Sequence, residues 1–255
     1  MADNTITDSP FKSLRIALGV ALACALLVSL TAVTLRPHYL ANLEAERMAR
    51  LGSILDALKE VTGDVTPEDI EARVVDLAGG GYADTIDPAT FDARKAANDP
   101  KQSVAIPPAQ DVAGIKRRAQ HAVVYLVRKT DGNIAAVILP VRGVGYQSAL
   151  YGYLALAEDA NEILALKFYE QGETPGLGSR IQEPEWEALW PGKQAFDDAG
   201  AVSIGVGGRG GDSSNQVVGI SGATRTSMGV NGLIRFWLSD FGFGPYLNRV
   251  RQGEG

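Results

Sequence analysis

The sequence has 255 residues with 45% hydrophobic and 21% charged side chains, an ordinary globular balance that excludes a disordered chain. The formal net charge is −6, so there is no broad positive field to hold phosphate backbones, and nucleic acid is excluded as a partner. The single cysteine, Cys24, excludes an internal disulfide and a thiolate metal cluster.

The two histidines, His38 and His121, give no sign of a metal site or a general base. Neither has a second histidine three or four residues away, the spacing that places two ligands on one helix face. No Ser-His-Asp or Cys-His set surrounds a recognisable nucleophile. We therefore expect no metal ligand and no catalytic residue, and we expect a cofactor to carry any chemistry.

An uncharged apolar run covers residues 16–35. About 20 such residues, at about 1.5 Å each, cross a hydrocarbon core of about 30 Å, which predicts a transmembrane helix. A cleaved signal peptide is the alternative, but its apolar region usually has about 7–15 residues, and no small-residue cleavage site follows before Arg36-Pro37. We interpret the run as an uncleaved anchor.

The charges around the span do not fix its orientation, because basic residues both precede and follow it: Lys12, Arg15, Arg36, Arg47 and Arg50. A short tail, residues 1–15, stands ahead of the span, and all the folded mass follows it. This arrangement is typical of a signal anchor that exports its C-terminal part. It predicts a cytoplasmic tail and an exported domain.

Residues 36–120 are predicted to form a helical and irregular segment. Apolar residues recur mostly three or four apart over Tyr39–Glu60, which predicts an amphipathic helix. The stretch Thr62–Gln120 is rich in Asp, Pro and Ala, and a short helical piece is predicted near Phe91–Ala97. We expect this stretch to form an irregular, partly helical layer over the core.

Residues 121–255 carry the strand signals. Four apolar runs predict two antiparallel hairpins: Ala122–Val127 with Ala135–Val141, and Ala149–Ala157 with Glu162–Glu170. Helical spacing returns near Glu185–Trp190 and from about Thr226 to Ser239. The fold prediction is therefore α+β, with a single N-terminal transmembrane helix and then one domain whose antiparallel sheet is packed by helices.

Small and hydroxyl-bearing residues, Ser221 to Ser227, stand immediately before the last predicted helix. Ser and Thr in this position are ordinary N-caps. The same turn also suits a phosphate, because free backbone N–H groups and the positive end of the helix dipole point outward there. Gly222 and Ala223 would let a ligand approach the backbone closely. The residues alone leave both interpretations open.

The run SGATRTS resembles the flavinylation motif, S/T-G-A-T, of the C subunits of sodium-pumping NADH:quinone oxidoreductases and of the related G subunits of Rnf complexes. Two further segments, Tyr169–Gly178 and Arg235–Arg251, are similar to the C subunits, and with the span the likeness covers nearly the whole chain. The resemblance implies FMN bound covalently through a phosphoester to one threonine. It also implies these cofactor-binding residues: Thr224, the attachment site, with Ser221, Gly222, Ala223, Arg225 and Thr226.

The resemblance also places the turn after the fourth apolar run beside the flavin. In this turn Pro175 fixes φ, while Gly176 and Gly178 free the backbone for close approach. An isoalloxazine ring needs an apolar slot with a few backbone donors, so we expect it beside Thr174 and Leu177 as well. Tyr146 occupies a position that is usually aromatic in the family, and both a ring contact and a core role stay open for it.

The family implies a six-subunit complex that oxidises NADH, reduces ubiquinone and moves sodium ions outward. This chain would be the electron relay between an iron–sulfur centre of the membrane subunits and the FMN of the B subunit. Its partners would be the A, B, D, E and F subunits and a flavin transferase. The expected location is the bacterial inner membrane, with one span and a periplasmic domain.

Two alternatives compete with this function. An Rnf G subunit would share the fold and the flavin bond but work with ferredoxin and NAD. The long segment 39–120 and the GFGPYL tail favour the quinone enzyme. A membrane-tethered binding or assembly module would carry no flavin, and its SGAT would be a plain N-cap.

One position departs from the family pattern. The motif usually has Asp three residues before its Ser, and this chain has Val218 there. The flavin transferase reads that Asp, so the departure affects the expected efficiency of modification rather than the fold.

Overall fold

The structure, a computed structural model, describes residues 10–62, 69–129, 132–207 and 213–254. The chain divides into two compact units, Met1–Arg47 and Met48–Gly255. The first helix, α1 (Pro10–Thr62), has 53 residues and extends over parts of both units.

In the first unit α1 carries a strongly apolar segment, Ser13–Leu35, with a mean hydropathy of 2.5. Its large side chains, from Phe11 to Leu35, are exposed, as they would be in a helix surrounded by lipid. By length and composition this helix can cross a membrane. It contains the whole of the predicted span, residues 16–35.

The second unit is built on a six-stranded antiparallel sheet. Its elements in chain order after α1 are β1 (Ile70–Asp76), α2 (Ala93–Asn98), β2 (Ser103–Ala105), β3 (Arg117–Ala119), β4 (His121–Arg128), β5 (Ile134–Val144), β6 (Ala149–Ala157), β7 (Glu162–Glu170), a 3₁₀ turn (Gly178–Gln182), α3 (Pro184–Glu187), β8 (Lys193–Gln194), β9 (Gly205–Val206), β10 (Gln216–Val217), α4 (Thr224–Leu238) and α5 (Gly244–Arg251). The strand order in the sheet is β1-β4-β5-β6-β7-β8. The α+β prediction is confirmed, as are both hairpins.

Helices cover both faces of this sheet. On one face the C-terminal part of α1 buries a stripe of Leu51, Ile54, Leu55 and Leu58, in the i, i+3, i+4, i+7 spacing of an amphipathic helix. On the other face the sheet packs against α4 and α5. The central strands are therefore buried on both sides. Because of this, β4 (HAVVYLVR) is an almost continuous apolar run.

The strand β1 corrects the prediction of a merely helical and irregular segment at 36–120. It pairs antiparallel with β4 along its whole length, from Ile70 opposite Val127 to Asp76 opposite His121. Its outward residues are charged, and Glu71 forms ion pairs with Arg73 and Arg128. Charges of this kind protect a sheet edge from pairing with a further strand. They also interrupt the run of apolar residues by which a strand is recognised in the sequence. The sheet therefore contains a strand from the predicted segment 36–120 as well as strands from the predicted domain 121–255.

Helix α4 lies very close to the end of β5. The backbone of Gly229 faces the Val144 carbonyl, and that of Gly232 faces the Val112 carbonyl, with no room for a side-chain carbon at either position. This close contact fixes the N-terminal turn of α4 beside the β5–β6 loop. The helix begins at Thr224, two residues earlier than its apolar spacing predicts.

Candidate functional site

The first turn of α4 presents free hydrogen-bond donors. Its N-cap is Ala223, which has no side-chain oxygen, so the interpretation of SGAT as an ordinary Ser or Thr cap is wrong. Among the described residues, no acceptor bonds the backbone N–H groups of Thr224, Arg225 and Thr226. These are the orphan donors that make a helix N-terminus suitable for an anion.

The hydroxyl groups around this turn fall into two classes. Thr226 is 2% exposed and donates to Glu173 Oε2 at 2.6 Å, while Ser227 is buried and bonds Ile220 N and Ala223 O. Ser221 and Thr224 are exposed, and neither hydroxyl has a hydrogen bond within the described part of the chain. The open hydroxyl on the helix itself is therefore that of Thr224.

Glu173 links three segments beneath this turn by hydrogen bonds: its own turn after β7, the β5–β6 loop and α4. Besides Thr226, its carboxylate accepts the backbone N–H groups of Tyr146 at 3.1 Å, Gln147 at 2.9 Å and Ser148 at 3.0 Å, and also the Ser148 hydroxyl at 3.1 Å. Burial raises the pKa of Glu173, but the hydrogen bonds from Thr226 and the loop outweigh it and hold the pKa below its ordinary value. The residue is 5% exposed, and its carboxylate is ionised at neutral pH.

Glycines allow this carboxylate to sit so close to its neighbours. A Cβ at Gly178 would stand 2.6 Å from Thr226 Oγ1 and 2.8 Å from Glu173 Cβ. A Cβ at Gly145 would stand 2.6 Å from Glu173 Oε1. Gly176 has a φ of +72°, which closes the turn between Thr174 and the 3₁₀ turn.

Two clefts flank Thr224. The first, of about 270 Å³, is lined by residues of the β5–β6 loop, the turn after β7 and the start of α4: Tyr146, Glu173, Thr174, Leu177, Gly178, Gly222, Ala223, Thr224, Arg225 and Thr226. The Arg225 guanidinium lies over the Tyr146 ring, 5.0 Å from its centroid. The second cleft, of about 450 Å³, is lined by Val218, Ser221 and Met228 among others.

The first cleft brings together nine of the eleven residues that the sequence assigns to the cofactor. Ser221 lines the second cleft instead, and Gly176 lies in the turn after β7 without lining the first cleft. Tyr146 is 52% exposed and Leu177 is 45% exposed, so neither belongs to the core. Glu173 is the lining residue that sequence reasoning misses, although it stands as the one acid in the turn QGETPGLG.

The site falls inside a known domain family. Residues 145–239 match the model of the FMN-binding domain. Over 257 residues the chain is 41% identical to the C subunit of the Na(+)-translocating NADH-quinone reductase of Vibrio vulnificus, and the match covers 99% of each chain. The corresponding C subunit of Pseudomonas aeruginosa is 42% identical over 258 residues, covering 97% of this chain and 98% of that protein. The chain belongs to this family of C subunits.

A solved structure of the same family supports the fold. The crystal structure of Shewanella oneidensis NqrC superposes with a TM-score of 0.70 at 31% identity, covering 80% of this chain and 99% of that one. The chain is accordingly one subunit of a multi-subunit complex. The FMN-binding match begins at the β5–β6 loop and ends just after α4, so it includes every residue that lines the first cleft.

Thr226→Val is expected to lower the free energy of unfolding by about 1–3 kcal/mol at neutral pH, because it removes a donor from a buried carboxylate. The folded-state pKa of Glu173 is lowered, so this stabilisation is present above the ordinary pKa and is lost as pH falls through the folded-state pKa. Denaturant titrations at pH 7 and at a pH below the folded-state pKa of Glu173 measure the difference.

Thr90→Val serves as the control and should change stability by no more than about 0.5 kcal/mol, because Thr90 is exposed and its hydroxyl bonds only Asp87 among the described residues. A Thr226→Val penalty of equal size at both pH values would contradict an ionised Glu173 as the acceptor.

Proposed function

We propose that this chain is the electron-relay subunit of a sodium-pumping NADH:ubiquinone oxidoreductase and carries FMN on Thr224 through a phosphoester. The observation that supports this most is the exposed Thr224 hydroxyl on a helix turn with three orphan N–H donors. It lies within the family's attachment motif and between two clefts. Full-length relatives that are C subunits of this reductase favour the quinone enzyme over an Rnf complex.

The residues present fit FMN. The N–H groups of the first α4 turn and the Arg225 guanidinium are the donors that would hold the phosphate. Tyr146, Thr174 and Leu177 supply the apolar and aromatic walls that a ring requires, in a cleft near the lower end of the usual size of about 300–1,000 Å³. Bound FMN would supply reversible electron uptake, and the chain would orient it and shield one side from water.

Attachment requires a donor and a transferase. We propose a flavin dinucleotide as the donor. The Thr224 oxygen forms a bond to the phosphorus of the FMN half, the pyrophosphate bond breaks, the nucleoside monophosphate leaves, and the hydroxyl proton passes to a base of the transferase. The other proposed partners are the A, B, D, E and F subunits. One of these subunits would deliver electrons to this chain, and another would accept them from it.

Val218→Asp is expected to raise the fraction of chains carrying FMN when the flavin transferase is limiting. The side chain is partly exposed, and the bond from Trp186 Nε1 goes to the backbone carbonyl of residue 218, so the substitution should change stability by only about 0.5 kcal/mol. Flavin per chain at matched expression is the measurement. Complete modification of the wild type under the same limiting conditions would show that Asp is dispensable here.

The domain is proposed to lie on the periplasmic side of the bacterial inner membrane. A protease added to intact spheroplasts should then cut the chain beyond residue 36 and release the FMN-carrying part. Immunoblots with an antibody to the C-terminus detect the fragment, and a cytoplasmic marker protein must stay intact as the control. Cleavage only after lysis would place the domain in the cytoplasm.

A further inference from the structure

The Glu173 carboxylate carries an unpaired charge at the wall of the first cleft. All five groups that bond it are neutral: three backbone N–H groups and the hydroxyls of Ser148 and Thr226. Within the described ranges no ion pair includes Glu173. Its charge is therefore stabilised by dipoles and is not cancelled by a cation.

Burial increases the distance over which the Glu173 charge acts on other groups. An exposed charge is screened by water and salt within about 10 Å, whereas a buried one interacts through a medium of much lower effective dielectric constant. Glu173 is almost fully buried, yet it lines the cleft. Arg225, the cation at the same cleft, is exposed and stacks over Tyr146, so solvent screens it far more strongly.

A fixed negative charge disfavours the addition of an electron to any group beside it. We propose that Glu173 sets the midpoint potential of the FMN held in the first cleft by lowering it, and that the Thr226 hydroxyl moderates this effect. This inference rests on the proposed function, because it requires FMN on Thr224. The role belongs to the charge of Glu173 and not only to its bonds, which distinguishes it from a purely structural role.

Two substitutions separate the charge from the contact. Glu173→Gln removes the charge and keeps the size of the side chain, so the potential of the bound FMN should rise. Thr226→Val breaks the same Glu173–Thr226 bond but keeps the charge, now less stabilised by hydrogen bonding, so the potential should fall. Spectroelectrochemical titration of the full-length protein with covalent FMN, in detergent, measures both shifts after intact mass has verified the loading.

A higher potential in Glu173→Gln together with a lower potential in Thr226→Val supports the inference. A potential that stays or falls in Glu173→Gln, or that stays or rises in Thr226→Val, would overturn it and indicate that the contact matters only for structure. If Glu173→Gln does not fold, Thr226→Val alone decides: a lower potential supports the inference, and an unchanged or higher potential overturns it. A wild-type chain without covalent FMN would instead overturn the proposed function, and this inference with it.

Discussion

Thr224→Ala is expected to abolish covalent FMN while the domain stays folded. The substitution removes the proposed attachment oxygen. The Thr224 hydroxyl makes no hydrogen bond within the described part of the chain, so its loss should change the free energy of unfolding by no more than about 0.5 kcal/mol. Flavin fluorescence after denaturing electrophoresis, together with intact mass, measures the loss, and a thermal melt verifies the fold.

Ser221→Ala is the matched control, because it removes the other exposed hydroxyl of the same turn. This variant should keep its covalent FMN. Retention of covalent FMN in Thr224→Ala would show that another hydroxyl is the attachment site. An unfolded Thr224→Ala protein would show that the Thr224 hydroxyl makes a contact that the fold requires.

Gly232→Ala should destabilise the domain by about 1–3 kcal/mol. In an open helix position the change from Gly to Ala is favourable by up to about 1 kcal/mol. At residue 232, however, a methyl group would overlap the Val112 carbonyl, and relief of that overlap requires α4 or the loop to shift. Because α4 carries the proposed attachment turn, its displacement should also reduce FMN loading.

Gly52→Ala, in contrast, is expected to raise the free energy of unfolding. Gly52 lies in α1 within the second unit, and nothing stands within 4 Å of a Cβ built there, so alanine should stabilise by about 0.5–1 kcal/mol. Thermal unfolding of both full-length variants in the same detergent compares them. A Gly232→Ala protein as stable as Gly52→Ala would contradict the close packing of α4.

The elements that the sequence predicts well are those buried on both sides. Strands β4 to β7 are apolar runs bounded by turn signals, and their predicted and observed limits differ by three residues at most. The edge strand β1 is missed because Glu71 and Arg73 break its apolar run, although Ile70, Ala72 and Val74 alternate with them. Helix α5 is missed because it begins at Gly244-Pro245 and is short.

The proposed attachment turn can be recognised in the sequence because its residues are adjacent. Glu173 cannot be found in the same way, since its partners come from the β5–β6 loop and from Thr226, which is 53 residues away. Its role depends on a burial and a neutral hydrogen-bond shell that only the folded chain shows. Local sequence therefore indicates where FMN would be attached, and the tertiary structure indicates which charge would act on it.

The most direct measurement is peptide mass spectrometry of the wild-type chain purified from its own membranes. Proteolysis and fragmentation of the peptide that contains residues 221–227 should show one FMN phosphoryl group, joined to Thr224. An unmodified peptide from a chain isolated with its full complement of partner subunits, or FMN on Ser221 or Thr226, would contradict the assignment.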